Sequence, residues 1–322
     1  MRVLLKGAGV AGLCLAHELS ARGVAVTVVE RKPGFAGAAS WFAGGMLAPW
    51  CERESAEEAV LTKGIGAIDW WDDVLPGEVS RNGTLVVAPP RDAGELRRFA
   101  SRTSGYEWLD AAAIERLEPA LAGRFREALF FPGEAHLDPR RALARLRQKL
   151  VDRGIAFVTE ASDNGQHDLV ADCTGAAGTG DTPGLRGVRG EMLYLETSDV
   201  ELSRPVRLIH PRIPLYIVPR GGLFMCGATM IETDDGGPIT ARSLMELLNA
   251  AYALHPAFGE ARLVETGAGV RPAFADNLPR ALRAGQTITI NGLYRHGFLL
   301  SPALAAEAAD LALVQDLKGD AA

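Results

Sequence analysis

The sequence predicts a two-domain protein of mixed α/β class. One domain carries a parallel sheet and is assembled from the beginning, the middle and the end of the chain. The other is built on an antiparallel sheet and is inserted in two pieces. Three observations predict this. Residues 3–29 run strand, helix, strand, which is the pattern of a βαβ unit and hence of a parallel sheet. From Gly190 onward the apolar runs become short and hairpin-like: "GEMLYLET", "RPVRLIH", "LYIVPR" and "LFMCGATM". The C-terminal part returns to strand and helix, and 322 residues exceed a usual single domain. The expected boundaries are 1–81, 138–190 and 263–322 for the first domain, and 82–137 and 191–262 for the second.

The elements follow in order. Val3–Leu5 is apolar enough for a strand, and Leu13, Ala16 and Leu19 give the following helix a buried face that Gly23 ends. Val24 to Val29 is a second strand with Glu30 at its end. The segment 37–50, "GAASWFAGGMLAPW", is too apolar for an ordinary surface loop. A helix is expected next, because Ser55 and Glu58 have capping-box spacing and Leu61, Ile65, Ile68, Trp71 and Leu75 share a face. "GTLVVAPP" reads as a strand, "DAGELRRFASRTSG" as a helix and "ALFFPGEAHLD" as a strand with a turn. Asp138-Pro139 opens a helix that buries Leu143, Leu146 and Leu150 and closes at Gly154. "IAFVTE" and "DLVADCTG" return to the first sheet. Thr240 starts a helix through Leu254, "ARLVETGAGVRPA" and "TITINGL" are strands, and a final helix spans about Pro302 to Leu317.

Composition excludes several classes. Net charge is −6 with acids and bases mixed, so no basic arm or nucleic-acid patch exists. No apolar run approaches a membrane span, and the N-terminal strand leaves no room for a signal peptide. Cys14, Cys51, Cys173 and Cys226 are scattered and form no C-x-x-C pair, which points to buried thiols in a reduced, cytoplasmic, soluble chain. No His/Cys/Asp/Glu group has metal-ligand spacing, so no metal is expected.

Gly7, Gly9 and Gly12 have the spacing G-x-G-x-x-G between the first strand and its helix. In a Rossmann-like site the first glycine permits the turn, the second lets backbone approach a pyrophosphate and the third lets the helix pack on the strand. Gly7, Gly9, Val10, Ala11 and Gly12 are therefore the expected phosphate cradle, at a helix N-terminus that favours anions. Glu30 stands where a carboxylate takes the two hydroxyls of a ribose. A plain structural turn with a solvated Glu30 is the competing reading.

Two further segments decide which dinucleotide. Gly44, Gly45, Met46 and Leu47 in "GGMLAP" allow backbone to lie flat against a ring system with a soft apolar side chain beside it. In "YRHGFLLSP", a helix begins near Gly297, and its N-terminus would stabilise negative charge on a reduced ring. A buried loop with core side chains is the alternative for both. With the N-terminal fingerprint, "GGMLAP", "LYIVPR…GATM" and "GVRP…NLP" followed by "YRHGFLLSP", nearly the whole chain resembles the glycine oxidase group of the D-amino acid oxidase family, in the same order.

That resemblance implies an FAD-binding domain with an interleaved substrate domain. It implies FAD held non-covalently, since no cysteine follows Cys226 where related sarcosine oxidases attach the flavin. It places Arg31, Gly175, Arg271, His296, Gly297, Phe298 and Leu299 beside the cofactor, although Gly175 also fits an ordinary strand-end turn. It implies that Arg271 anchors a substrate carboxylate, that Tyr216 assists, that Met230 lines a small pocket and that Arg295 lies near flavin and substrate. An arginine fork suits a carboxylate. The competing readings are an ion pair of Arg271 with Asp276, a core tyrosine, a core methionine and a loop-clamping Arg295. His296 is not needed as a base. His210 and His136 carry no signal.

The implied reaction is oxidation of a small amino acid. Glycine is first, then sarcosine or a small D-amino acid. Hydride passes to the flavin, O2 is the acceptor, hydrogen peroxide forms, and the imine goes to glyoxylate and ammonia or to thiazole synthesis for thiamine. Two departures stand out: "TEASDNGQH" is short where the family carries extra strands, and Pro214 replaces an expected polar pocket residue. The alternatives are a dehydrogenase with another acceptor, a flavin-binding partner subunit without turnover, and an NAD-dependent reductase. Apolar surface on the antiparallel sheet could bury a homo-oligomer interface.

Overall fold

The computed structural model describes residues 1–35, 37–161, 166–180, 182–209 and 214–314. The chain forms two compact units. The first holds 1–41, 140–187 and 271–322, the second 42–139 and 188–270.

The first unit contains a six-stranded sheet in the order Arg280–Ala284, Thr287–Asn291, Leu169–Asp172, Arg2–Lys6, Ala25–Val29, Ala156–Val158. All neighbours are parallel except the outer hairpin Arg280–Ala284 with Thr287–Asn291. A parallel sheet must be covered on both faces, which is why its strands are apolar runs such as Val3-Leu4-Leu5, all buried. The helix Val10–Ala21 buries Leu13, Cys14, Leu15, Ala16 and Leu19, and Gly23 ends it at φ +78°. It packs along the last helix, Gly297–Leu313. That helix starts before the expected Pro302, which lies inside it, and its expected end at Leu317 is outside the described residues. Pro302 is the sixth residue of that helix and leaves the Phe298 carbonyl without the bond an N–H at 302 would make.

The second unit carries a nine-stranded sheet in the order Ile231–Glu232, Arg186–Glu196, Leu223–Gly227, Leu215–Arg220, Val206–Leu208, Thr84–Val87, Glu127–Phe131, Glu107–Asp110, with Arg262–Ala273 also paired to Arg186–Glu196. Along that order the pair Val206–Leu208 with Thr84–Val87 is parallel and the other pairs of neighbours are antiparallel. One face packs on the helix Ala241–Leu254 through Leu247, Ala250, Ala251 and Leu254. The fully buried Glu118 accepts from Arg204 Nε at 2.6 Å and from the Ser203 amide.

Two expectations need correction. Residues 42–81 and 263–270 cluster with the second unit, not with the first. Met46–Leu47 pairs with Ala135–His136, and Glu134 accepts the Cys51 amide at 2.7 Å, so this segment is tied to 134–139. The single helix expected over Ser55–Leu75 is instead two, Glu58–Gly64 and Ala67–Val74, preceded by Pro49–Arg53. Gly64 and Gly66 break it, Ile65 at the break is half exposed, and the N-cap is Glu57, not Ser55.

The Glu134 contact has a measurable consequence. Burial pushes the Glu134 carboxyl from 4.5 up to about 7, against the opposing hydrogen bond from Cys51. Folding therefore favours the protonated form, whose stabilisation is whole below pH 4.5 and is lost as pH rises through 7. Glu134→Gln keeps the acceptor oxygen without the charge. In urea titrations the wild type is expected to lose about 2 to 3 kcal/mol relative to Glu134→Gln between about pH 5 and pH 8. A difference independent of pH would show that Glu134 ionises without penalty. His17 and His136, pushed down to about 4 and about 3 by burial, have the opposite sign and cost stability as pH falls below 6.5.

Candidate functional site

In the first unit the glycine loop is sterically determined. Gly7 has φ +100°, and a Cβ there would overlap the Cys173 carbonyl. A Cβ on Gly12 would overlap the Gly7 carbonyl oxygen. Gly9 differs: its Cβ would meet only Ser40 Oγ, at 3.5 Å. Gly7 and Gly12 are thus needed by the protein's own packing, whereas the protein leaves space at Gly9. Gly9 is the N-cap of the first helix and no side chain caps it. Val10 and Ala11 are buried in the first turn, and the Val10 amide has a long 3.4 Å contact with Ser40 Oγ.

The last helix begins at the same place. A Cβ on Gly297 would touch Val10 Cγ1 at 3.3 Å, so the first residues of the two helices adjoin. The N-cap of the last helix is His296, again with no side-chain cap bond, and Phe298 and Leu299 behind it are buried. Two helix N-termini side by side place two partial positive charges together, which an anion between them would relieve. The pairing was not apparent from the sequence, where the two segments lie at opposite ends of the chain.

Glu30 is 7% exposed at the end of Ala25–Val29. Among the described residues its carboxylate takes a 3.4 Å contact from the Phe35 amide and a 3.4 Å ion pair from Arg147. Arg147, which the sequence reading missed, also lies over the Phe157 ring at 4.4 Å. Arg31 is exposed beside Glu30. Gly175 has φ +61°, and its carbonyl accepts from the buried Asn291 Nδ2 at 3.1 Å. Asn291 was also missed.

Arg271 and Arg295 are brought near one another in chain terms: the Tyr294 amide donates to the Pro272 carbonyl at 2.8 Å. The Asp276 carboxylate, the expected competitor for Arg271, accepts from Arg280 at 2.7 Å and from the Leu278 amide at 3.0 Å. Arg295 lies 5.8 Å from the Tyr294 ring centroid.

In the second unit, Gly44 lies against Tyr216: a Cβ at Gly44 would be 2.7 Å from the ring. Arg220, buried and absent from the sequence reading, donates to the Gly44 carbonyl at 2.6 Å. Gly45 has φ +68°, and its carbonyl accepts the Leu137 amide at 2.9 Å. Met46 and Leu47 are held by pairing with His136 and Ala135. Tyr216 pairs with Gly227, and Met230 stands three residues beyond, 48% exposed. Pro214 is exposed before the Tyr216 strand, whereas His210 lies outside the described residues. All four cysteines are buried free thiols, which burial pushes up and away from the thiolate form. No group of three or more metal-ligating side chains occurs among the described residues, and no described helix is long and apolar enough to cross a membrane.

Residues 2–311 match the model of the family DAO, FAD dependent oxidoreductase. The chain belongs to this family. A Rhizobium etli protein named "Putative thiamine biosynthesis oxidoreductase ThiO" is 66% identical over 313 residues, covering 96% of this chain and 95% of that protein. A glycine oxidase of Geobacillus kaustophilus is 25% identical, covering 96% of this chain and 92% of its own. Among solved structures, glycine oxidase from Geobacillus kaustophilus superposes with a TM-score of 0.82 at 24% identity, covering 97% of this chain and 94% of that one. Iminodiacetate oxidase from Chelativorans sp. BNC1 reaches a TM-score of 0.79 at 23% identity, covering 96% and 94%.

The residues of the first unit fit the family's FAD. The first helix's N-terminus suits a pyrophosphate, the open side of Gly9 allows its approach, and a buried Glu30 with long contacts suits a ribose diol.

Proposed function

We propose that this DAO-family protein oxidises a small primary amino acid, glycine first, with non-covalent FAD, in the synthesis of the thiamine thiazole. The 66% identity over nearly the whole chain to a thiamine biosynthesis oxidoreductase carries the reading. The four buried thiols support non-covalent attachment.

When bound, FAD supplies the two-electron acceptor for hydrogen leaving the substrate Cα. The chain's residues bind and orient. Gly7, Gly9, Val10, Ala11 and Gly12 offer backbone amides and helix charge to the pyrophosphate. Glu30 takes the ribose hydroxyls, with Arg31 and Gly175 flanking. His296, Gly297, Phe298 and Leu299 present the second helix N-terminus to the isoalloxazine. Gly44, Gly45, Met46 and Leu47, shaped by Arg220 and the 134–138 segment, would hold the flavin ring. Arg271 grips the substrate carboxylate with its fork, Tyr216 donates its hydroxyl to the same group, and Met230 limits the side chain admitted. Arg295 adds a second positive charge near the carboxylate. No protein base is required when the amine arrives neutral. The imine product then hydrolyses to glyoxylate and ammonia, with O2 as terminal acceptor.

The test is the anaerobic visible spectrum of the purified protein before and after glycine. Bleaching of the flavin bands is expected. Bands that persist with glycine but bleach with sarcosine or D-alanine would move the substrate within the class. Bands that no small amine bleaches would favour a flavin-binding subunit without turnover.

A further inference from the structure

Met230 sits on a short bridge whose two ends are tied down. On one side Ile231 pairs antiparallel with Arg189. That register sets Gly190 opposite Met230 and Glu191 opposite Thr229. On the other side the Thr229 amide donates to the Glu191 carbonyl at 3.2 Å. The return hydrogen bond departs from an ordinary ladder: the Glu191 amide donates to Thr229 Oγ1 at 2.9 Å, so a side-chain hydroxyl does the work of a backbone carbonyl. The same hydroxyl donates to Glu191 Oε2 at 3.1 Å. Thr229 is thereby held to residue 191 at three points.

Glu191 is itself immobilised. It is fully buried, and its Oε1 accepts from Arg189 Nε at 3.0 Å, from Arg189 Nη2 at 2.8 Å and from the Thr240 amide at 3.1 Å. Arg189, also buried, donates onward to the Asp235 carbonyl at 2.8 Å, to the Asp235 carboxylate at 3.1 Å and to the Pro238 carbonyl. Thr240 is the N-cap of Ala241–Leu254. A buried charge pair is a poor way to gain stability but a good way to specify one geometry. Here the geometry specified is that of the residues on either side of Met230, which is itself 48% exposed.

We propose that the Glu191–Thr229 clasp is a positioning device: it holds Met230 in place and thereby sets how large a substituent the substrate may carry on Cα or nitrogen. This rests on the reading that Met230 limits the substrate. Glu191 and Thr229 touch no reacting atom and act through Met230. A flexible methionine would adapt to many ligands. Tying both neighbours removes that freedom and makes the pocket selective.

The experiment compares Thr229→Val, Thr229→Ser and Met230→Ala as FAD-loaded proteins. The readouts are KM and kcat for glycine, sarcosine and D-alanine, the FAD dissociation constant by flavin fluorescence, and Tm. Thr229→Val keeps the shape but loses the hydroxyl, leaving the Glu191 amide and Oε2 without it. It is expected to raise the glycine KM about tenfold, to shift the glycine-to-sarcosine ratio of kcat/KM toward sarcosine by about the same factor, and to leave FAD binding within about twofold. Thr229→Ser, which restores the hydroxyl, is expected to behave within about threefold of wild type. Met230→Ala is expected to shift the same ratio without moving FAD binding. If Met230→Ala shifts selectivity and a folded Thr229→Val does not, the clasp is overturned while Met230 keeps its role. If Met230→Ala changes neither KM nor selectivity, the underlying reading falls and the inference with it. If Thr229→Val weakens FAD binding as much as it raises KM, the clasp is a general structural element and the proposal is wrong.

Discussion

Arg271→Ala is expected to raise the KM for glycine by about a hundredfold or more while FAD stays bound within about threefold. The size follows from removing a two-pronged, charge-assisted grip, which is worth on the order of 3 kcal/mol when the other partner is left without it. Asp276, the alternative partner for Arg271, accepts from Arg280 and from the Leu278 amide. Arg271→Lys separates charge from geometry. A lysine keeps the positive charge but cannot make two parallel hydrogen bonds, so it should recover only part of the loss. Steady-state kinetics with glycine and flavin fluorescence titration check both halves. A glycine KM unchanged in Arg271→Ala would remove Arg271 from the substrate side altogether.

Gly9→Ala and Gly12→Ala are expected to weaken FAD binding for different reasons, and the difference tests what the glycines are for. A methyl on Gly12 collides with the Gly7 carbonyl, so the turn must open. The apoprotein should lose several kcal/mol or fail to fold, in line with overpacking against rigid backbone. A methyl on Gly9 meets only Ser40 Oγ at van der Waals distance, so the apoprotein should melt within about 2 °C of wild type. FAD affinity should nonetheless fall about a hundredfold, because the methyl occupies the side by which a pyrophosphate reaches the helix N-terminus. Differential scanning calorimetry of the apoprotein, with a fluorescence titration of FAD, separates the two. A Gly9→Ala protein that binds FAD as wild type does would return the loop to a structural turn.

Much of the first unit was legible because its signals are local. The strand, the three glycines, the helix and Glu30 lie within thirty consecutive residues, residues 1–30, and period, turn chemistry and spacing all agree there. The helix break at Gly64 and Gly66 was legible in principle, since two glycines flank Ile65, but the apolar spacing ran straight across it. The partners that shape the candidate site were not. Arg220 reaches Gly44 across 176 residues, Asn291 reaches Gly175 across 116, and Glu134 reaches the Cys51 amide across 83. Nothing in the spacing of such residues distinguishes a buried donor from a solvated one.

Residue type and local order therefore settle the fold class, the glycine turn before the first helix and the resemblance on which the substrate residues were chosen. Glycine's missing Cβ and the helix period are properties of neighbours in the chain. Which carbonyl fills the space beside Gly7, which helix start adjoins that of Val10, and which carboxylate clasps Thr229 depend on how distant segments pack. Hydrogen bonds and close contacts are short-ranged, and a linear sequence carries no distance between its far parts until the chain has folded.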